Sequence, residues 1–265
     1  KFSLINSIKN AEYKLEKNIK IFAGDVDQKA LTKFANIKFW KMPSTKEKNL
    51  NKIINYCIKN NIFIIIPTRD EELLFWSRNK TILKKNKIDV LVSSKKSLEL
   101  CLDKLNFSNF GEKNDLPIIK SHQNLKNISY NSYVVKERYG SGSLKIGLNL
   151  NIKNAIIFSK KLNNPIFQKF IPGIEISADI WISKKYKIKG VILRTRDIII
   201  RGESKVTTSI ENNKIKNEVI KVVKKLRIIG HVVIQGILDK KNKFNIIECN
   251  PRFGGASTLS IEKGL

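Results

Sequence analysis

The chain has 265 residues, 42% hydrophobic and 28% charged, enough for two small domains or one large α/β unit and too apolar for wholesale disorder. Its longest apolar run, Ile62–Ile66, is far below the roughly 18 residues of a membrane helix, and Cys57, Cys101 and Cys249 lack the spacing of a disulfide scaffold or zinc finger, which points to a reducing cytoplasm. The formal charge of +28 suggests nucleic acid, but Lys outnumbers Arg 43 to 8, Ile and Asn rise with it as AT-rich codons dictate, and the lysines are scattered; this reads as a solvated surface and argues against a nucleic-acid face.

The chain opens inside a helical pattern, with Ile5, Ile8 and Leu15 on one side up to about Lys17. Ile19–Ala23 reads as a buried strand ending in Gly24-Asp25. A helix follows at Asn49–Lys59, with Ile53, Ile54 and Cys57 inward, then a short strand at Ile62–Ile66 stopped by Pro67. Glu71–Lys84 is helical and Val90–Val92 is a third strand. Strands alternating with helices imply a parallel sheet. Such a unit normally opens with a strand and a Gly-rich turn, so the first strand is expected to be missing here, and the C-terminus at Leu265 is expected to be incomplete.

From about Asp103 the pattern becomes α+β with antiparallel strands: Tyr133–Lys136, Ile174–Ser183, Lys187–Thr195, His231–Leu238 and Phe244–Asn250. Helices are expected at Ile152–Leu162 and Lys214–Lys225. The expected domains are 1–102 and 103–265, the latter divided into subdomains 103–170 and 171–265.

Three constellations carry chemistry. In the first, the strand ending in Lys136 runs through Gly140-Ser141-Gly142-Ser143 into a returning strand, Leu144–Leu148. Glycines let backbone N–H groups approach an anion, the serines add donors, and the lysine supplies a point charge. The plain alternative is a glycine-rich hairpin; the spacing fits neither a Walker loop nor G-x-G-x-x-G. The second is Gln168-Lys169-Phe170-Ile171-Pro172-Gly173-Ile174-Glu175, an extended piece whose backbone can meet an adenine edge and whose carboxylate can hold ribose hydroxyls. Taken bare it is a strand–turn–strand. The third is the strongest. If Lys240–Lys243 form a four-residue hairpin loop, Gln235 lies opposite Glu248, and Glu248 and Asn250 share a face. These oxygen donors suit Mg²⁺, and Arg252 follows where a guanidinium can hold a phosphoryl group. Glu248 could instead pair with one of the many lysines. His122 and His231 have no partner Cys or His nearby and read as structural.

In order, Asp103-Lys104, Val134-Val135-Lys136, Gly140–Ser143, Gln168–Glu175, Gln235 and Ile246-Ile247-Glu248-Cys249-Asn250-Pro251-Arg252-Phe253-Gly254-Gly255 resemble the ATP-grasp superfamily, in particular its carbamoyl-phosphate-synthase-like branch. Ile65–Leu73 is similar to a strand end in the domain preceding such a fold. The resemblance implies a truncated, parallel-sheet pre-ATP-grasp domain (α/β) followed by two α+β subdomains that grip ATP. By position it implies Lys104 and Lys136 as phosphate-binding bases and Gly140, Ser141, Gly142 and Ser143 as the loop over the phosphates. It implies Gln168, Lys169, Phe170 and Ile171 as the adenine hinge, although Lys169 stands where the family is often acidic, and Glu175 as the ribose ligand. Gln235, Glu248 and Asn250 become Mg²⁺ ligands (with Mn²⁺ as a substitute), Arg252 the phosphate clamp, and Arg194, Arg196 and the Arg201–Glu203 segment the groups facing phosphate and acceptor.

The expected activity is ADP-forming ligation of a small carboxylate to an amine or other nucleophile through an acyl-phosphate. A bicarbonate-using carboxylase is the same-fold alternative, and a basic nucleic-acid-binding protein the alternative of another class. The expected location is the cytoplasm, with no membrane partner and with room for a homo-oligomer.

Overall fold

The computed structural model describes residues 2–16, 18–126, 128–140, 145–200 and 202–265. The chain divides into two compact units, Lys1–Val92 and Ser93–Leu265. The expected boundary at residue 102 therefore falls inside the second unit.

The first unit contains helices α1 (Phe2–Lys14), α2 (Leu50–Lys59) and α3 (Asp70–Lys85) and strands β1 (Phe22–Asp25), β2 (Lys38–Lys41), β3 (Ile64–Ile65) and β4 (Asp89–Val90). β1 pairs with β2, and β3 with β4, each in parallel. Strand β2 was not foreseen, because Lys38 and Lys41 flank only two apolar residues. Its Trp40 stacks on Tyr56 of α2, with ring centroids 3.8 Å apart and planes within 2°. Ile53, Ile54 and Cys57 of α2 are buried, as their helical spacing requires.

The second unit opens with two helices that apolar spacing does not predict, α4 (Lys95–Leu102) and α5 (Lys104–Lys113). Their caps were legible. Ser94 accepts from Ser97 N at 3.2 Å, and Asp103 accepts from Leu105 N and Asn106 N. Two antiparallel sheets follow. The smaller has the order β5–β8–β6–β7, from β5 (Ser121–His122), β6 (Tyr133–Glu137), β7 (Ile146–Leu150) and β8 (Pro165–Lys169), with helix α6 (Ile152–Ser159). Its core is small: Tyr133, Val135, Ala155, Leu162 and Phe167. The larger sheet has the order β13–β10–β9–β14–β15, from β9 (Gly173–Ile182), β10 (Ile188–Thr195), β13 (Ser209–Ile210), β14 (Gly230–Asp239) and β15 (Phe244–Asn250). A hairpin of β11 (Ile198–Ile200) and β12 (Glu203–Val206) projects beyond β10. Helix α7 (Asn213–Leu226) packs Ile215, Val219, Val222 and Val223 on one face of the larger sheet, and α8 (Ser257–Glu262) follows the larger sheet.

Cys101, Phe107 and Ile118 belong to that same large core. Residues 103–118, expected in the first subdomain, thus pack on the larger sheet, where Ile119 N also donates to Ile246 O at 2.9 Å. Residues 170–172 form the link between the sheets. Gly173 starts β9 where only a glycine fits, since a Cβ there would stand 2.2 Å from Leu238 O.

Candidate active site

The face of the larger sheet turned away from α7 is polar. Strand alternation puts Ile176, Ala178 and Ile180 of β9 into the core and Glu175, Ser177 and Asp179 on the opposite face. Across the sheet the register sets four polar side chains in one row: Arg194 on β10 opposite Ser177, Ser177 opposite Gln235 on β14, and Gln235 opposite Glu248 on β15. The neighbouring row pairs Asp179 with Val233 and Val233 with Asn250.

The expected pairing of Gln235 with Glu248 is present, but it arises differently. The turn closes one residue tighter than expected: Asp239 N donates to Lys243 O at 3.0 Å, and Asn242 takes the left-handed conformation, φ 56°. Pairing then runs Leu238 with Phe244, Ile237 with Asn245 and Gly236 with Ile246. A bulge leaves Ile247 unpaired and restores Gln235 opposite Glu248. The bulge also sets the face. Phe244 and Ile246 point into the core, so strict alternation would bury Glu248 beside them. With the bulge, Cys249 enters the core, and Glu248 and Asn250 share the polar face, Asn250 Nδ2 donating to Glu248 Oε1 at 3.0 Å.

On the smaller sheet, Lys136 of β6 is 8% exposed. Burial pushes its ammonium down to about 8; the Glu248 carboxylate opposes that fall, and the Lys104 ammonium adds to it. Burial raises the Glu248 carboxyl, but Lys136, Lys104, Asn250 and Arg196 outweigh it and hold the group below its ordinary value. Lys104, Lys136, Arg196 and Glu248 thus share one electrostatic neighbourhood. Lys104 Nζ donates to Gly140 O at 2.6 Å, and Gly140 has φ 98°, a conformation that favours glycine. Ser141, Gly142 and Ser143, with Leu144 at the start of the expected return strand, and Arg201 lie outside the described residues.

The other expected residues fall as follows. Gln168 is buried and donates to Ser121 Oγ at 2.8 Å, so its side chain serves the smaller sheet. Phe170 N donates to Ser132 O; Lys169, the last residue of β8, is exposed, and Ile171 is half-buried in the link between the sheets. Glu175 accepts from Arg196 Nη1 at 2.7 Å, and Arg196 Nη2 donates to Gly202 O at 2.8 Å. Arg194 is 3% exposed and donates through Nε to Asp179 Oδ2 at 2.6 Å. Arg252 is half-buried beyond Asn250, and its Nη1 donates to Phe253 O at 3.1 Å.

Two groups have roles that the sequence does not assign. Asp103 caps α5, receives both Nε and Nη2 of Arg138 at 2.7 and 2.6 Å, and accepts from Tyr139 Oη at 3.2 Å. It fixes the segment leading to Gly140 from the start of α5. Asp179, wholly buried, gathers Arg194, Ser257 and His231. Its signal was a charged residue inside the apolar strand Ile174–Ile182.

The donor set fits a hard cation. Gln235 Nε2 faces Ser177 Oγ at 3.4 Å and Asn250 Nδ2 binds Glu248 Oε1, so neither bond uses the amide oxygens of Gln235 and Asn250 or the second Glu248 oxygen. Among the described residues no cluster of three or more His, Cys, Asp or Glu is placed to hold a metal, and no helix is long and apolar enough to cross a membrane.

Known proteins share this architecture. A biotin carboxylase–β,γ-ATP complex from Campylobacter jejuni superposes with TM-score 0.75 at 17% identity, covering 98% of this chain and 65% of that one. The biotin carboxylase domain of the Hydrogenobacter thermophilus 2-oxoglutarate carboxylase, solved with MgADP, ADP and bicarbonate, gives 0.71 at 18%, covering 98% and 64%. An L-amino acid ligase from Bacillus licheniformis gives 0.71 at 17%, covering 97% and 66%. This chain thus spans about two-thirds of these proteins. By sequence, no curated protein matches it. The family model for the ATP-grasp domain matches residues 101–256, which take in both antiparallel sheets, Lys136 and the whole Gln235–Glu248–Asn250–Arg252 set, and on that match the chain belongs to the ATP-grasp family.

Proposed function

We propose that the chain is the nucleotide-handling part of an ATP- and Mg²⁺-dependent, ADP-forming ligase that joins a small carboxylate to an amine or another nucleophile. One observation carries the reading: the buried Lys136 of one sheet lies within electrostatic reach of Glu248, in a row of oxygen donors on the other. Lys104 and Lys136 hold the phosphates, with Gly140 to Ser143 over them. The backbone of Lys169 to Ile171 meets the adenine, and Glu175 the ribose. Gln235, Glu248 and Asn250 would hold Mg²⁺, which supplies charge neutralisation at the phosphate oxygens. Arg252, supported by Arg194 and Arg196, steadies the γ-phosphoryl group as the carboxylate attacks phosphorus and ADP departs. The nucleophile then displaces phosphate from the acyl-phosphate. Positioning and charge carry the catalysis, and no protein nucleophile is required.

The test is the product pair. Supplied with Mg-ATP and its carboxylate, the protein is expected to release ADP and phosphate in equal amounts, with hydroxylamine trapping the activated acyl group. Release of AMP and pyrophosphate would refute the mechanism. The bicarbonate-bound neighbour supports a second reading in which bicarbonate is the carboxylate. ADP release that survives in bicarbonate-free buffer excludes it. The lysine-rich surface keeps a third reading testable: nucleic-acid affinity that is steep in salt and indifferent to ATP.

A further inference from the structure

The segment after β15 carries Arg252 and then turns through Phe253-Gly254-Gly255 into α8. It is held from beneath by side chains of three other strands. Asp179 of β9 accepts from Ser257 Oγ at 2.6 Å, and the same Ser257 oxygen accepts from Gly254 N at 2.9 Å. His231 of β14 lies with Nε2 3.3 Å from Asp179 Oδ1 and Nδ1 3.3 Å from Arg252 O, and its ring stacks on Phe253, with centroids 4.3 Å apart and planes 14° apart. Arg194 of β10 completes the set through its 2.6 Å bond to Asp179 Oδ2. Asp179 and Ser257 are 0% and 1% exposed. Apart from the bond between Gly254 and Ser257, these links join segments far apart in sequence, and each ends on the turn or on a group that touches it.

We propose that Asp179 is a positioning residue for Arg252, acting through Ser257 and His231 to fix the turn that aims the guanidinium, with Arg194 as its charge partner. The proposal rests on the reading of Arg252 as the γ-phosphate clamp. A buried carboxylate that used Arg194 only for stability would have no need of bonds to the turn. Here its second oxygen is spent on Ser257, three residues beyond Gly254, and the imidazole that neighbours it touches the Arg252 carbonyl. Holding a guanidinium from behind in this way lowers the ordering needed when the γ-phosphate arrives.

The experiment compares two probes, MgADP and Mg-β,γ-imido-ATP, by calorimetry on the whole chain. In the wild type the extra phosphate strengthens binding, and Arg252→Ala removes that increment. Asp179→Asn and, independently, Ser257→Ala are expected to cut the increment by about tenfold, the scale of a charge-assisted bond, while MgADP affinity is unchanged. In an Arg252→Ala background neither change has a further effect. If Asp179→Asn fails to fold, Ser257→Ala decides alone, since it removes only a hydroxyl. An Arg252-dependent increment that both variants keep overturns this proposal and leaves the ligase reading standing. A wild type that binds neither probe, or an increment indifferent to Arg252→Ala, overturns both.

Discussion

The two sheets of the ATP-grasp unit treat buried charge in opposite ways. In the larger sheet the buried Asp179 is matched by a cation of the same sheet. Asp179 and Arg194 stand on adjacent strands, and although burial raises the Asp179 carboxyl, His231, Arg194 and Ser257 outweigh it and bring it down to about 2. The smaller sheet buries Lys136, and the carboxylates that support its charge, Glu248 and Glu175, belong to the larger sheet. Charge that serves the fold is neutralised within a sheet. Lys136 is left under-compensated, as the proposed reading of it as a phosphate-binding group requires.

The largest effect that would break this comparison lies in the larger sheet. Asp179→Asn strands the Arg194 guanidinium and should lower unfolding stability by about 3–5 kcal/mol, the range for breaking a buried pair, as read by urea denaturation. Loss of less than about 1 kcal/mol, the worth of a surface pair, would show that the sheet does not depend on its own pair. The smaller sheet should behave in the reverse sense. Lys136→Met should leave the fold intact yet weaken ATP binding by about 1.5–3 kcal/mol, the worth of a hydrogen bond to a charged group; calorimetry showing equal affinities would remove Lys136 from the phosphate site.

A pH series sharpens the same point. The Lys136 ammonium falls from its ordinary 10.5 to about 8 in the folded chain. Between those values the unfolded state holds more protons, so stability should rise with pH across that window. Measured against Lys136→Met from pH 7.5 to 9.5, the wild type should gain about 1–2 kcal/mol, in proportion to the part of the shift covered. A flat difference would mean that Lys136 titrates normally. A smaller effect is expected at Asp103, which joins α5 to Arg138: Asp103→Ala removes a helix cap and a partly exposed pair, and should cost about 1–2 kcal/mol in thermal or urea unfolding. The exposed pair of Lys120 with Glu112 is the control, and Lys120→Gln should leave the melting temperature unchanged.

Much of this was legible along the chain. Apolar spacing gave the helices at Leu50–Lys59, Asp70–Lys85 and Asn213–Leu226 to within a residue or two, because each buries one stripe. Strands β9, β14 and β15 stood out as long β-branched runs. Strand β2 and helices α4 and α5 did not. Lys38 and Lys41 hide the first, and the helices carry so many polar residues that only Ser94 and Asp103, as caps, announce them.

By itself the sequence determined the make-up of the candidate site: oxygen donors at Gln235, Glu248 and Asn250, a lysine before a glycine-bearing segment, and a hairpin that sets Gln235 opposite Glu248. These lie within single strands or one hairpin, where a fixed side-chain period converts spacing into position. Tertiary structure alone decided which face those donors occupy, because a one-residue bulge at Ile247 offsets a turn one residue tighter than expected, and alternation cannot reveal either. It also decided the company of Asp179. Arg194, His231 and Ser257 lie far apart along the chain, and only the packing of three strands under one turn makes them a unit. Local periodicity reports what a residue is and which way it faces. The neighbour that neutralises a buried charge is chosen by strand order, which no local pattern encodes.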